Sequence, residues 1–100
     1  MNKVGNSIDR KGLARRMAAE LPDIRRRLSL LREDLEEKTN IGSRRIAAIE
    51  EGRQEMKWSE VLSVMFILWS DDEGRQLLDE KGLFPEELKR AMSVDWKESD

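Results

Sequence analysis

The chain has no cysteine and no histidine. These absences exclude thiolate nucleophiles, disulfides and imidazole acid–base catalysis, and with them nearly every zinc, iron or copper site. No run approaches the roughly 20 apolar residues of a membrane span, and the N-terminus lacks the apolar segment of a signal peptide. We therefore expect a cytoplasmic protein without metal, cofactor or membrane segment. An enzyme is the least favoured class, because neither a nucleophile paired with a base nor a glycine-rich phosphate loop is present.

Length and composition favour one small, compact, all-α domain. The 100 residues are 38% apolar and 40% charged, which is enough for a small core but too short for two domains. Apolar residues recur at the spacing of helices, and no segment alternates with the period of two that strands require. A domain of this size buries about two thirds of its unfolded surface. Association with a second copy would therefore stabilise it.

Charge is distributed unevenly along the chain. The net charge is −2 overall, but residues 1–32 carry +6 and residues 33–100 carry −8. Such asymmetry favours an anionic partner on the basic side, with the acidic part facing solvent or another protein. The alternative is that arginine and glutamate are here only because they are good residues for exposed helix faces. Charge alone leaves both interpretations open.

Helix signals divide the chain into four parts. Residues 1–20 form a basic arm or helix, in which Gly12 lowers helix propensity. Residues 21–69 form the central domain, with helices predicted over 22–28, 32–39, 43–51 and 58–69. Residues 70–92 are a C-terminal helical extension of the same domain and a candidate dimer interface, and residues 93–100 are a disordered tail.

Individual residues mark the predicted helix ends. Pro22 has no amide proton and suits the first position of a new helix. Asn40 tolerates the left-handed conformation that follows a helix, and Gly52 and Gly82 stop two others. The segment Ser70-Asp71-Asp72-Glu73 matches a capping box, so Ser70 is predicted to cap a fifth helix that runs to about residue 81. A last short helix is predicted over 83–92.

Two short helices joined by a tight turn, the second polar on its outer side, are the elements of a helix-turn-helix. Residues 30–52, Leu-Leu-Arg-Glu-Asp-Leu-Glu-Glu-Lys-Thr-Asn-Ile-Gly-Ser-Arg-Arg-Ile-Ala-Ala-Ile-Glu-Glu-Gly, resemble without a gap the motif of the phage-repressor-like (Xre-type) DNA-binding family. The resemblance covers roughly residues 21–68, including the core positions, the turn and the closing Ile-Glu-x-Gly. It implies a sequence-specific regulator that binds double-stranded DNA and represses transcription by occlusion.

The resemblance also implies roles for individual residues. The helix that starts at residue 43 would enter the major groove, while the start of the preceding helix braces the DNA backbone. Base edges would face Ser43, Arg44, Ala47 and Ala48. Arg32 would contact a phosphate or a flanking base, and Arg53 and Lys57 would contact phosphates. Arg25 and Glu50 would form a semi-buried ion pair, with a phosphate contact by Arg25 as the alternative.

Physical chemistry supports parts of this assignment. An arginine near the start of a recognition helix can donate two hydrogen bonds to guanine, which discriminates against other bases by about 1–3 kcal/mol. Arg44 is the first candidate for that contact. Small residues permit close approach to thymine methyl groups, but they also serve as packing, and for Ala48 the two interpretations stay open.

Three residues depart from the family pattern. Ser29 stands where the family usually has glycine and Leu31 where it has a serine or threonine cap, so the path into the second helix and the pose of Arg32 are open. Glu51 would repel a phosphate. We expect modest affinity that depends strongly on salt.

Partners follow from the remaining helices. The segment 58–69 has too many apolar residues for one buried stripe, which favours a homodimer binding a palindromic operator, with a monomer closed by its own C-terminal helices as the alternative. Residues 71–100 carry −5 and suggest a protein partner. Two alternative functions stay open. One is an antitoxin that binds a partner protein and autoregulates, and the other is a helix-turn-helix interaction module without DNA binding.

Overall fold

The computed structural model describes residues 8–86 and Leu88. Within this part of the chain there are five helices and no strand, which confirms the all-α prediction. The helices are α1 (Arg10–Arg27), α2 (Arg32–Thr39), α3 (Ser43–Glu50), α4 (Trp58–Trp69) and α5 (Asp72–Glu80). Residues 1–7 of the predicted basic arm or helix, most of the helix predicted over 83–92 and the tail 93–100 lie outside the described residues.

Helix α1 is one continuous helix, so the prediction that a new helix starts at Pro22 is wrong. A proline inside a helix costs about 3 kcal/mol, because it removes a hydrogen bond and clashes with the preceding turn. The helix nevertheless continues because Leu13, Met17, Leu21 and Ile24 form a single apolar stripe with at most 5% exposure. Burying each such side chain contributes about 1.5–3 kcal/mol. The packing of this stripe therefore outweighs the local cost.

The predicted bounds of the next three helices are confirmed almost to the residue. Helices α2 and α4 span the predicted residues, and α3 ends one residue earlier than expected. Asn40 ends α2 in the left-handed conformation with φ +66°, and Gly52 follows α3 with φ +79°. Local turn chemistry therefore determines where these helices end.

The junction between α1 and α2 contains a residue with a left-handed backbone although it has no glycine. Ser29 has φ +57°, a conformation that costs a residue with a Cβ atom about 1–2 kcal/mol. Leu31 precedes α2 and offers no side-chain cap, but its backbone N–H donates to Asp34 Oδ2 at 2.8 Å. The turn at Ser29 therefore has a backbone conformation that suits glycine. At the start of α2, Asp34 supplies one of the two hydrogen bonds of a capping box.

Helix α5 begins one residue later than the capping-box pattern predicts. Ser70 is still in the last turn of α4, where its hydroxyl donates to the Ile67 carbonyl at 2.7 Å. Asp71 has the extended backbone of an N-cap, and its carboxylate accepts from Gly74 N at 3.0 Å. The predicted cap at Ser70 is therefore wrong, because Ser70 is the C-cap of α4 and the N-cap of α5 is the next residue, Asp71.

Helix α5 packs against α4 and is tied to α1 by polar contacts. The Arg16 guanidinium donates to the carbonyls of Lys81 and Gly82 at 2.7 and 2.9 Å. The Lys81 ammonium in turn donates to Glu20 and Asp23 of α1 at 2.7 and 2.8 Å. The described part of the chain thus shares one hydrophobic core, to which all five helices contribute. None of these helices combines the length and the apolar character that crossing a membrane requires.

Candidate nucleic-acid interface

The α2–α3 pair is joined by the three residues 40–42. Ile41 is 7% exposed and anchors this turn in the core. Its backbone N–H donates to the Thr39 hydroxyl at 3.2 Å, and that hydroxyl donates to the Leu35 carbonyl at 2.7 Å. These bonds satisfy backbone groups that the end of α2 would otherwise leave unpaired. The start of α3 is therefore rigidly placed relative to α2.

The outer face of α3 carries one free arginine among small side chains. Arg44 is exposed and makes no hydrogen bond or ion pair with any described residue. Ser43 and Ala47 are half-buried, and Ala47 lies three positions from Arg44 on the same side of the helix. This face leaves the Arg44 guanidinium accessible, with little beside it to prevent close approach of another surface.

Ala48 does not belong to this exposed face. It is only 5% exposed, and the chain turns back beside it, with Arg53 N and Gln54 N donating to the Ala48 carbonyl at 2.8 and 3.3 Å. Of the two interpretations that the sequence left open, the structure favours packing. The residues predicted to face bases are thereby reduced to Ser43, Arg44 and Ala47.

The expected ion pair between Arg25 and Glu50 is present and has two bonds. Arg25 Nε donates to Glu50 Oε2 at 2.7 Å, and Nη2 donates to Oε1 at 2.9 Å. The Glu50 side chain is 2% exposed. Hydrogen bonding to Glu50 raises the pKa of Arg25, against the opposing effect of burial. This pair joins α1 to the end of α3.

Arg32 is bound to the same carboxylate, which sequence reasoning missed. Its Nε donates to Glu50 Oε1 at 3.0 Å, and its side chain is 38% exposed. One carboxylate therefore neutralises only one of two guanidiniums, so the cluster Arg25–Glu50–Arg32 keeps a net charge of about +1. The more exposed member of the cluster is Arg32, at the start of α2. No local pattern signals this contact, because 18 residues separate the partners.

Arg45, the neighbour of Arg44, has an entirely different environment. Its Nε and Nη2 donate to the Glu60 carboxylate at 2.6 and 2.9 Å, and Nη2 also donates to the Glu55 carbonyl at 3.0 Å. Gln54 accepts a further bond from Arg45. Hydrogen bonding to Arg45 lowers the pKa of Glu60. Arg45 therefore fastens α3 to the first turn of α4 and is unavailable to a ligand.

The loop after α3 contains the two other predicted phosphate ligands. Arg53 pairs with Glu51 at 2.9 and 2.7 Å, and both side chains are more than half exposed. Lys57 is exposed, and its ammonium forms no hydrogen bond or ion pair with a described residue, although its charge contributes to the lowered pKa of Glu60. Its backbone N–H donates to the Glu60 carboxylate at 2.8 Å. The loop thus offers one free cation and one that is held by a weak, solvent-exposed pair.

Acidic side chains flank the same region. Glu36 accepts a hydrogen bond from Ser43 N, the first residue of α3, at 3.2 Å. Glu33 and Glu37 are exposed on α2. A carboxylate at a helix N-terminus is electrostatically favourable for the helix, but it occupies an amide that an external anion would otherwise bind. Approach of a polyanion is therefore favoured at Arg44 and disfavoured at the exposed glutamates of α2.

A groove of about 500 Å³ lies between the N-terminal half of α1 and the segment that follows α3. Arg10, Lys11 and Arg15 line it on the α1 side. At one end the Arg10 guanidinium lies over the Trp58 ring, 5.1 Å from the ring centre. Sequence reasoning left the role of residues 1–20 undecided and did not predict this groove.

Among residues 8–86 and Leu88, no three acidic side chains come together as metal ligands could. A comparison of the chain with models of known protein families, with curated proteins and with solved structures finds no match. Functional inference therefore depends on the geometry described above.

Proposed function

We propose that this chain is a binding protein, not an enzyme, which acts in the cytoplasm as a sequence-specific regulator of the phage-repressor-like (Xre) type. In this proposal α2 and α3 are a helix-turn-helix, and α3 enters the major groove of double-stranded DNA. The chain is a repressor that occludes its operator. The observation that carries the proposal is the free Arg44 guanidinium on the exposed face of α3.

The contrast between adjacent arginines supports this role. Arg45 is held by Glu60 and the following loop, whereas Arg44 has no partner among the described residues. An arginine with a free guanidinium can donate two hydrogen bonds to guanine O6 and N7. Ser43 and Ala47 are small enough to bring the helix close to the bases. Arg44 therefore determines base preference, and Ser43 and Ala47 contribute close contacts.

Contacts to phosphates would position the protein on the duplex. The net positive Arg25–Glu50–Arg32 cluster presents its exposed member, Arg32, at the start of α2. Lys57 forms no ion pair with a described residue. Arg53 can exchange its exposed pairing with Glu51 for a phosphate at little cost, because such surface pairs contribute about 0–1 kcal/mol. Each phosphate neutralised steepens the salt dependence of binding.

A homodimer would place two recognition helices about 34 Å apart, as a palindromic operator requires. Four apolar residues of α4, Val61, Val64, Met65 and Leu68, are buried within the chain, but Leu62 and Phe66, one turn apart, are 37% and 61% exposed. This exposed apolar pair supports a second copy as the partner on α4. A monomer would leave both side chains in water.

The experiment that tests the function is selection of bound duplexes from a random pool at moderate salt. The wild type is compared with Arg44→Ala and with a matched control, Arg26→Ala, which removes an exposed arginine that pairs with Asp23 on α1. We expect the wild type and the control to enrich the same two-fold symmetric site. Arg44→Ala should lose preference at one position in each half-site. Enrichment of no sequence by the wild type would overturn the proposal.

One observation favours a second candidate function. The exposed carboxylates of α2 lie beside the start of α3, where they oppose a phosphate backbone. They suit instead a basic surface on a protein partner, as in an antitoxin or in an interaction module without DNA binding. The described acidic residues of α5 and the net charge of −5 over residues 71–100 favour the same kind of partner. Absence of any enriched duplex would favour this candidate.

A further inference from the structure

The basic residues of α1 fall into two groups according to their partners. In the C-terminal half, Arg25 is bound to Glu50, and Arg26 and Arg27 lie beside Asp23. In the N-terminal half, Lys11 and Arg15 are exposed and form no ion pair with any described residue. The positive charge that α1 leaves uncompensated is therefore concentrated in its first turns.

These free cations lie near the proposed DNA-binding surface. Lys11, Arg15 and Arg10 line one side of the groove, and Glu51, Gly52 and Gln54, directly after α3, line the other. Arg10 stacks on Trp58, which follows Lys57 in the chain. The first turns of α1 therefore add positive charge beside the loop 51–57, in which Glu51 and Glu55 balance the two basic side chains.

Opposing charge in the groove is limited. Glu50 is bound to two arginines. The two remaining lining carboxylates are Glu51, whose partner Arg53 turns to a phosphate in the proposed complex, and Glu55, which has no described side-chain partner. The three cations of the α1 side thus exceed the free negative charge on the other side. The remaining excess of positive charge on the α1 side favours a polyanion as the ligand.

The spacing of the cations suits a nucleic-acid backbone. Lys11 and Arg15 are four positions apart on one face of α1, which places their Cβ atoms about 5–6 Å from each other. Two long side chains at this separation can contact successive phosphates of one strand. Arg10 is restrained by the Trp58 ring, so that less side-chain freedom is lost when it binds.

We infer that the N-terminal half of α1 is a second DNA-binding element, in which Lys11 and Arg15, with Arg10 beside them, bind backbone phosphates outside the major-groove contact of α3. This inference rests on the proposed function and lengthens the contact that the protein would make with the duplex. The element reads no bases. It increases affinity for all sequences alike and extends the protected backbone beyond the half-site.

The test measures duplex binding by the full chain as a function of salt, using the site recovered by selection. The double variant Lys11→Gln/Arg15→Gln is compared with the wild type and with a control of equal charge change, Arg27→Gln/Arg75→Gln. In the control, Arg27 lies beside Glu80 and Arg75 pairs with Asp72, both acids of α5. Circular dichroism verifies that each variant is folded. Hydroxyl-radical footprinting reports the length of backbone protected.

We expect the slope of log Kobs against log salt to decrease by about 1.8 in the double variant, because each phosphate contact contributes about 0.9. The footprint should shorten, and the selected sequence should not change. The control should keep both the wild-type slope and the wild-type footprint.

Three outcomes would overturn the inference, and they can be told apart. A wild-type slope and footprint in the double variant, while Arg44→Ala still loses base preference, would refute the α1 element and leave the proposed function intact. Failure of the wild type to bind any duplex would refute both. Equal changes in the double variant and the control would show a general charge effect and would also refute the element.

Discussion

Arg45 and Glu60 form a two-bond ion pair that joins α3 to α4, with Arg45 Nε 2.6 Å from Glu60 Oε2 and Nη2 2.9 Å from Oε1. The Glu60 side chain is 13% exposed. The same carboxylate accepts from Lys57 N, so it also caps the start of α4. Because Glu60 restrains both helices, the orientation of α3 depends on its charge.

The first prediction concerns Glu60→Gln and pH. The bond from Arg45 lowers the pKa of Glu60 below its ordinary value of 4.5, so the folded state prefers the ionised carboxylate. The stabilisation is therefore present in full above pH 4.5 and is lost as pH falls through the lowered pKa. We expect Glu60→Gln to cost about 1–2 kcal/mol at pH 7 and progressively less in acid.

Urea unfolding of both proteins between pH 7 and pH 2 measures this difference. Glu55→Gln serves as the control, because the exposed Glu55 carboxylate has no described partner. A difference in the free energy of unfolding between Glu60→Gln and the wild type that stays constant down to pH 2 would contradict the assigned role of the carboxylate.

The second prediction concerns Glu50→Gln. This change leaves Arg25 and Arg32 side by side without a neutralising carboxylate, and the Arg25 side chain is only 17% exposed. Breaking a buried pair costs about 3–5 kcal/mol, and the partial exposure of Arg32 reduces this to about 2–3 kcal/mol by allowing solvent screening. Denaturant unfolding at neutral pH measures the loss. Glu51→Gln removes a neighbouring but exposed carboxylate and should cost less than about 0.5 kcal/mol; equal losses in the two variants would contradict the role of Glu50.

The third prediction is that Ser29→Gly stabilises the protein. Ser29 has φ +57°, which glycine adopts without the steric cost of a Cβ atom. We expect a gain of about 1 kcal/mol, which corresponds to about 4–8 °C in Tm for a domain of this size. Thermal unfolding followed by circular dichroism measures it. A lower Tm for Ser29→Gly would show that the left-handed backbone at Ser29 is not strained.

The fourth prediction concerns the proposed dimer. Replacing Phe66, which is 61% exposed on α4, by serine removes most of the apolar area offered to a second copy. Sedimentation velocity over a range of concentrations should show a dimer for the wild type and for Phe66→Leu, and a monomer for Phe66→Ser. A wild type that is monomeric throughout that range would refute the dimer.

Local chemistry in the sequence determined the all-α class and the ends of α2, α3 and α4. Asn40 and Gly52 indicate helix ends because the residue after a helix often has a positive φ, which few residues other than glycine and asparagine tolerate. The stretch 58–69 was recognisable as a helix from its apolar density between polar flanks. These signals depend on neighbours within a few positions, so one sequence suffices to find them.

The tertiary structure decided which charged residues are free. Nothing local distinguishes Arg44 from Arg45, yet Glu60, 15 positions away, binds the second and leaves the first available. Arg32 shares Glu50 for the same reason, since partners distant in the chain meet only once α1, α2 and α3 have packed. Packing also explains why α1 continues past Pro22. The local cost of the proline, about 3 kcal/mol, is smaller than the free energy gained by burying a continuous apolar stripe. Local sequence therefore determined the ends of α2, α3 and α4, whereas long-range packing determined the extent of α1, and packing and pairing determined which side chains a partner can contact.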